Sequence, residues 1–265
     1  MGAGEMKSMM TIAGSDSSGG AGIQADIKTA TALGVFATSA ITSITAQNTR
    51  GVDAIEDVSE EMVRAQIRAV RSDIEPDAIK IGMVSSPDII QAIAKALDDY
   101  EGPVVVDPVM VSTSGVRLLK KEAESALKNV LIPRATLVTP NIPEAEILAE
   151  MKIETVDQQI DAAKRIYKCY GVAALVKGGH GVGDAVDILY DGKLYRYEKP
   201  MLDNPNTHGT GCTLSSAIAS HLALGLSVAK AVDRGKDYVY EAINDGLDLG
   251  KGRGPINHMV RSFKS

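Results

Sequence analysis

The run Pro103-Val104-Val105-Val106-Asp107 decides the fold. Three consecutive valines leave no polar face, so this strand is covered on both sides. That condition belongs to a parallel sheet held between two layers of helices. The same texture extends outward in both directions. Upstream, residues 78–81 read as a short strand, and a helix over 88–97 follows Pro87. Downstream, a helix over 122–131 leads to a strand at 136–139. Thr155 and Gln158 then form a capping-box pattern for a helix reaching about Tyr170. A further buried strand spans 172–176.

The ends of the chain fit the same plan. A strand over 9–13 stops at Gly14, and a helix over 22–33 stops at Gly34. A second strand covers 39–45. Ser59 reads as an N-cap, with Glu60 and Glu61 in the favourable first turn and Met62, Val63, Ile67 and Val70 on one face. Residues 185–190 and 194–197 form a hairpin through Asp191-Gly192. Helices over 213–224 and 228–247 close the chain. Repeated strand–helix alternation predicts a three-layer α/β/α architecture with a mostly parallel central sheet. We expect one domain over residues 9–265, preceded by a flexible extension over 1–8. Ligands in such sheets bind beyond the carboxyl ends of the strands.

Composition narrows the function. The 265 residues are 45% hydrophobic and 23% charged, so a large core is available. A net charge of −6, no Trp and two Phe argue against a nucleic-acid surface. No apolar run is long enough to span a membrane. Cys169 and Cys212 belong to no C-x-x-C pair, which suits reduced thiols in a cytoplasmic protein.

The residues after each predicted strand carry the chemistry. In Asn206-Thr207-His208-Gly209-Thr210-Gly211-Cys212-Thr213, two glycines precede a long helix. Small residues admit a ligand to the backbone, and free amides at a helix start bind anions. The Walker A pattern is absent. Cys212 falls in the first helical turn, where the helix end favours thiolate; it either accepts a proton from a substrate or packs as a small buried thiol. Lys177 closes the 172–176 strand beside glycines and suits phosphate. Gly179-x-Gly181-x-Gly183 does not make a dinucleotide fingerprint, because a strand follows it. Asp107, with Asn141 and Glu144 after the 136–139 strand, offers oxygen ligands suited to Mg²⁺. Asn141 and Glu144 also read as a helix cap and a first-turn acid. Gly14 opens a long polar loop to Gly22, while Gln47 and Met83 follow two other strands. Asp26 lies one turn into its helix, either in the pocket or on a solvated face.

Taken together, these runs resemble the hydroxymethylpyrimidine/phosphomethylpyrimidine kinases of thiamine biosynthesis, in the ribokinase-like superfamily. The resemblance rests on Thr11-Ile12-Ala13-Gly14-Ser15-Asp16, Ala46-Gln47-Asn48-Thr49, Lys80-Ile81-Gly82-Met83, Asp107-Pro108-Val109-Met110, Thr139-Pro140-Asn141-Ile142-Pro143-Glu144 and the Asn206–Thr213 run, in order along the chain. It implies an ATP- and Mg²⁺-dependent phosphotransferase acting on hydroxymethylpyrimidine and on its monophosphate. Gly14, Asp26, Gln47, Met83 and Val109 would hold the aminopyrimidine. Asn141, Lys177 and Thr207 would serve the nucleotide, and Asp107 and Glu144 the metal. Gly209, Thr210, Gly211 and Cys212 would form the catalytic turn. The resemblance further implies a homodimer. Residues 113–115 would act with the first loop as flaps. A pyridoxal or pyridoxine kinase of the same superfamily is the near alternative, and a non-catalytic vitamin-precursor sensor the more distant one.

Overall fold

The computed structural model describes residues 6–110, 119, 122–178 and 185–260. The expected flap at 113–115 and the glycines at 179, 181 and 183 lie outside the described residues. Among the described residues, nine strands form one sheet. They are β1 (Ser8–Asp16), β2 (Phe36–Asn48), β3 (Gly51–Asp57), β4 (Ala78–Ile81), β5 (Val104–Val106), β6 (Leu137–Val138), β7 (Ala173–Lys177), β8 (Ala185–Tyr190) and β9 (Leu194–Lys199). Their order is β3-β2-β1-β4-β5-β6-β7-β8-β9. The six strands from β2 to β7 run parallel, and β3, β8 and β9 are antiparallel additions at the two edges.

Side chains alternate along each strand between two cores. Met10, Ile12, Ile79, Ile81, Val104, Val106, Val138 and Val176 face one layer. That layer holds α2 (Glu60–Arg71), α3 (Pro87–Ala96), α4 (Ala123–Ala126), α5 (Ile142–Ala149) and α6 (Val156–Tyr170). Met9, Ala78, Val105, Leu137 and Leu175 face the other. There α1 (Gly22–Ala32), α7 (Thr210–Ala223) and α8 (Val228–Asn244) pack. β5 is buried on both sides, as its three valines demand.

The local signals hold where they were strongest. Thr155 and Gln158 form a capping box, and the Ser59 hydroxyl accepts from the Met62 amide at 3.3 Å. The hairpin turns at Gly192, with φ of 100°. Several features differ from expectation. Ser8 already belongs to β1 and is buried, and Lys7 is paired with Asp77 at 2.6 Å. The extension therefore ends earlier than residue 8. β3 was not anticipated; it is a polar, largely exposed edge strand whose alternation carries little apolar signal. The 122–131 helix is a short α4 that widens into a π-helical turn at Leu127–Leu131. α7 starts at Thr210 rather than at 213, so the glycine turn itself enters the helix.

Candidate active site

The carboxyl ends of the parallel strands deliver the polar residues to one edge of the sheet. β7 ends at Lys177, and Asp107 follows β5 directly. The two meet across the sheet, with Lys177 Nζ 3.2 Å from Asp107 Oδ1. Thr139 Oγ1 donates to the same oxygen at 3.2 Å, and Ser215 Oγ lies 3.3 Å from Oδ2. Asp107 is buried, so it needs these partners. Burial works against the Lys177 charge, but Asp107 and Glu144 outweigh it and hold the ammonium above its ordinary range.

Asn141 and Glu144 form a reciprocal capping box at the start of α5. Asn141 Oδ1 accepts from the Glu144 amide, and Glu144 Oε2 accepts from the Asn141 amide, each at 2.9 Å. Glu144 Oε1 also accepts from the Met110 amide at 3.3 Å. Burial pushes the Glu144 carboxyl up to about 7; Asp107 adds to this and Lys177 opposes it. Among the described residues, no group of three or more His, Cys, Asp or Glu is gathered to hold a metal alone. Asp107 and Glu144 fit a hard cation only if water and phosphate oxygens complete its shell.

α7 opens on the other side of this cluster. Gly209 has φ of +82°, and a Cβ there would stand 1.8 Å from the Gly20 carbonyl oxygen. Only glycine lets these two loops touch. No side chain caps the helix. The Thr210 amide and hydroxyl turn back to the Thr207 carbonyl, at 3.3 and 2.7 Å. The Gly211 and Cys212 amides are therefore the helix-start donors left for an anion. A Cβ on Gly211 would lie 3.5 Å from Lys177 Nζ and 3.7 Å from Asp107 Oδ2, so this turn faces the cation–carboxylate pair.

Two expectations are corrected beneath that turn. Cys212 is half-buried, and burial pushes its thiol up to about 11. Lys80 and a hydrogen bond from the Gly22 backbone oppose this; Asp26 and Asp107 reinforce it. Burial, with the smaller effect of the two carboxylates, outweighs what the helix end offers a thiolate. Asp26 is neither on a solvated face nor in a pocket wall. It is fully buried and bound by Lys80 at 2.8 and 3.0 Å, Thr11 at 2.5 Å and Ser216 at 2.5 Å. Burial disfavours the Lys80 ammonium, but the Asp26 carboxylate more than compensates and raises it above its usual range. Ser216 stands one helical turn beyond Cys212, so this buried pair forms the floor under the glycine turn.

A second polar cluster lies across α7's start. The Cβ position of Gly14 is 3.4 Å from Met83 Sδ and 2.8 Å from Ser43 Oγ. Thr42 Oγ1 holds the Met83 carbonyl at 2.8 Å. Gln47 is held through its backbone, where Ser17 Oγ donates to its carbonyl at 2.7 Å and accepts from its amide at 2.8 Å. Half-buried Val109 follows Asp107, whose carbonyl accepts its amide at 2.8 Å. Asp16 and His208, both buried, meet at 2.8 Å and join the first loop to the glycine turn.

The segment after α8 straps the site together. Gly252 donates to Thr49 Oγ1 at 3.1 Å, and Gly254 donates to Asn206 Oδ1 at 2.8 Å. The His208 amide donates to the Gly254 carbonyl at 3.1 Å, and Thr213 Oγ1 lies 2.9 Å from His258 Nε2. Sequence reasoning passed over Asp16, Lys80, His208 and Ser215. Lys80 carried a signal, since a lysine inside an apolar strand implies a buried partner.

Comparison with known proteins follows this geometry. The phosphomethylpyrimidine kinase family matches residues 16–257. A hydroxymethylpyrimidine/phosphomethylpyrimidine kinase of Rhizobium meliloti is 50% identical over 260 residues, covering 96% of this chain and 98% of that one. The thiamine biosynthesis bifunctional protein ThiED of Geobacter sulfurreducens is 49% identical over 96% of this chain, which spans only 52% of that protein. Among solved structures, the ADP complex of Bacillus subtilis pyridoxal kinase superposes with a TM-score of 0.90 at 38% identity, covering 98% of this chain and 100% of that one.

Proposed function

The chain belongs to the phosphomethylpyrimidine kinase family, and from that premise we propose that it uses ATP to phosphorylate 4-amino-5-hydroxymethyl-2-methylpyrimidine. A second transfer to the monophosphate gives the diphosphate for thiamine biosynthesis. One observation carries the reading. The open amides of the α7 turn face the Lys177–Asp107 pair, with the Gln47 side-chain nitrogen 3.4 Å from His208 Nε2 just before that turn.

Phosphoryl transfer is mainly positioning and charge neutralisation. Lys177, with Asn141 and Thr207, serves the nucleotide phosphates. The Gly211 and Cys212 amides, at the end of the Gly209–Cys212 turn, receive the transferring group where the helix end favours negative charge. Asp107 and Glu144 hold Mg²⁺, which neutralises phosphate charge when bound. Gly14, Gln47, Met83 and Val109 hold the ring, and Asp26 acts beneath them through Lys80. Cys212 stands at the acceptor oxygen. The amides and charges contribute more than proton transfer. Residues 9–265 act as one kinase domain. The chain would act as a homodimer in the cytoplasm.

Mass spectrometry of products from hydroxymethylpyrimidine, its monophosphate and pyridoxal tests the assignment. We expect both pyrimidine products. Phosphorylation of pyridoxal alone would replace the reading with pyridoxal kinase, which the close superposition on that enzyme favours as the second possibility.

A further inference from the structure

Lys177 faces a second carboxylate besides Asp107. Asp187 of β8 is its direct partner across the antiparallel pair of β7 and β8. Side chains opposed in this way leave the same face of the sheet, with Cβ atoms about 4.5–5.5 Å apart. Leu175 and Leu189, the pair two positions back on that face, both pack in the core under α7 and α8. Burial works against the Lys177 charge, Asp107 and Glu144 do most to uphold it, and Asp187 adds to them. Opposite charges so placed attract each other. Lys177 Nζ nevertheless stands 3.2 Å from Asp107 Oδ1, on the side of the glycine turn.

Other donors hold Asp187. The Gly178 amide donates to its Oδ1 at 2.9 Å, and Lys236 Nζ, from α8, lies 2.6 Å from its Oδ2. The Asp187 and Lys236 side chains are each only 8% exposed. Charges so far out of water persist only as partners. The end of β7 is also pressed against β8, since a Cβ on Gly178 would stand 2.1 Å from the Val186 carbonyl oxygen.

We propose that Lys236 is a positioning residue for Lys177. By neutralising Asp187 it denies Lys177 a competing partner, and the Lys177 ammonium turns to Asp107 and the nucleotide phosphates. The proposal rests on the reading that Lys177 serves those phosphates. Without Lys236, Asp187 is a buried carboxylate with one amide donor, and the ammonium across the strand pair answers its charge. Lys177 is then drawn from the Gly211 turn, where it lies 3.5 Å from the Cβ position.

The test measures KM for ATP and for hydroxymethylpyrimidine in the full chain, in Lys236→Met and in Lys236→Met with Asp187→Asn. The single variant should raise the ATP KM about tenfold or more, the scale of one charged hydrogen bond, and spare the pyrimidine KM. The double variant has no competing charge, and the asparagine oxygen still accepts from Gly178. Its ATP KM should return to within about threefold of the native value. A double variant as impaired as the single, or equal losses for both substrates, overturns the proposal and leaves the pair a scaffold. Lys177→Met separates the two claims. An unchanged ATP KM there overturns the phosphate reading and the proposal with it. A raised one, beside an unchanged value in Lys236→Met, overturns the proposal alone. A crystal structure of the native chain with ADP does not depend on variant folding. Lys236 on Asp187, with Lys177 on Asp107 or the phosphates, supports the proposal; Lys177 on Asp187, or Lys236 turned away from it, overturns it.

Discussion

Replacing Lys80 with methionine isolates the buried charge beneath the catalytic turn. Methionine keeps the apolar stem and fills irregular space, so the cavity contribution is small. The main loss is electrostatic. Asp26 keeps the Thr11 and Ser216 hydroxyls but loses both contacts from Lys80. Removing one partner of a fully buried pair costs about 3–5 kcal/mol, because the remaining charge is stranded. At about 2.1 cal/mol/K per residue, the 265 residues give an unfolding entropy near 0.56 kcal/mol/K, so Tm should fall by about 5–9 °C. Scanning calorimetry at neutral pH, beside urea unfolding, measures this. Adding Asp26→Asn to Lys80→Met neutralises the stranded carboxylate and should restore at least about half the loss. A drop below about 2 °C for Lys80→Met, or a double variant as unstable as the sum of the singles, refutes the account.

Cys212→Ala should lower kcat by about 10²–10⁴-fold while nucleotide affinity, read by calorimetry, changes little; unchanged turnover takes Cys212 out of the mechanism. Gln47→Ala should raise the KM for the pyrimidine and spare that for ATP, and equal losses would point to a wrong pocket. Gly209→Ala should destabilise far more than Gly225→Ala, since both have positive φ but only Gly209 meets another backbone; equal Tm shifts would contradict that packing. Acid unfolding should show Asp16. Burial opposes its charge, but His208, Ser18 and Ala21 lower its pKa from 3.8 to about 2. The folded value is depressed, so about 2 kcal/mol of stability is present above pH 4 and lost as pH falls towards 2. An Asp16→Asn variant should lack that limb, and an unchanged acid profile counts against it.

The sheet was legible because its signals are local. The Val104–Val106 run and the Thr155/Gln158 box each lie within a few residues, and the structure keeps them. β3 escaped notice because an edge strand facing water needs little apolar alternation. The strand-end residues were visible as a set, and the cap and first-turn readings of Asn141 and Glu144 are met by their capping box, whereas the Lys177–Asp107 ion pair was not foreseen. Pairings made by chain crossing were not visible. Lys80 meets Asp26 across 54 positions and His208 meets Asp16 across 192, and neither local spacing nor composition encodes such contacts. The Cys212 thiol was misread for the same reason. Its helix position is local, whereas the burial that raises its pKa is made by chain crossing, with Asp26 of α1 and Asp107 after β5 adding to it.

The strap formed by residues 250–258 has a consequence for biosynthesis. A ribosome releases the nine strands of the described residues before it makes the segment that pins Thr49, Asn206, His208 and Thr213. The sheet can be paired while the phosphate turn still lacks its brace. A nascent chain of this kind passes through a stage in which the sheet is paired and the glycine turn is unbraced, and the brace forms only once residues 250–258 have been made.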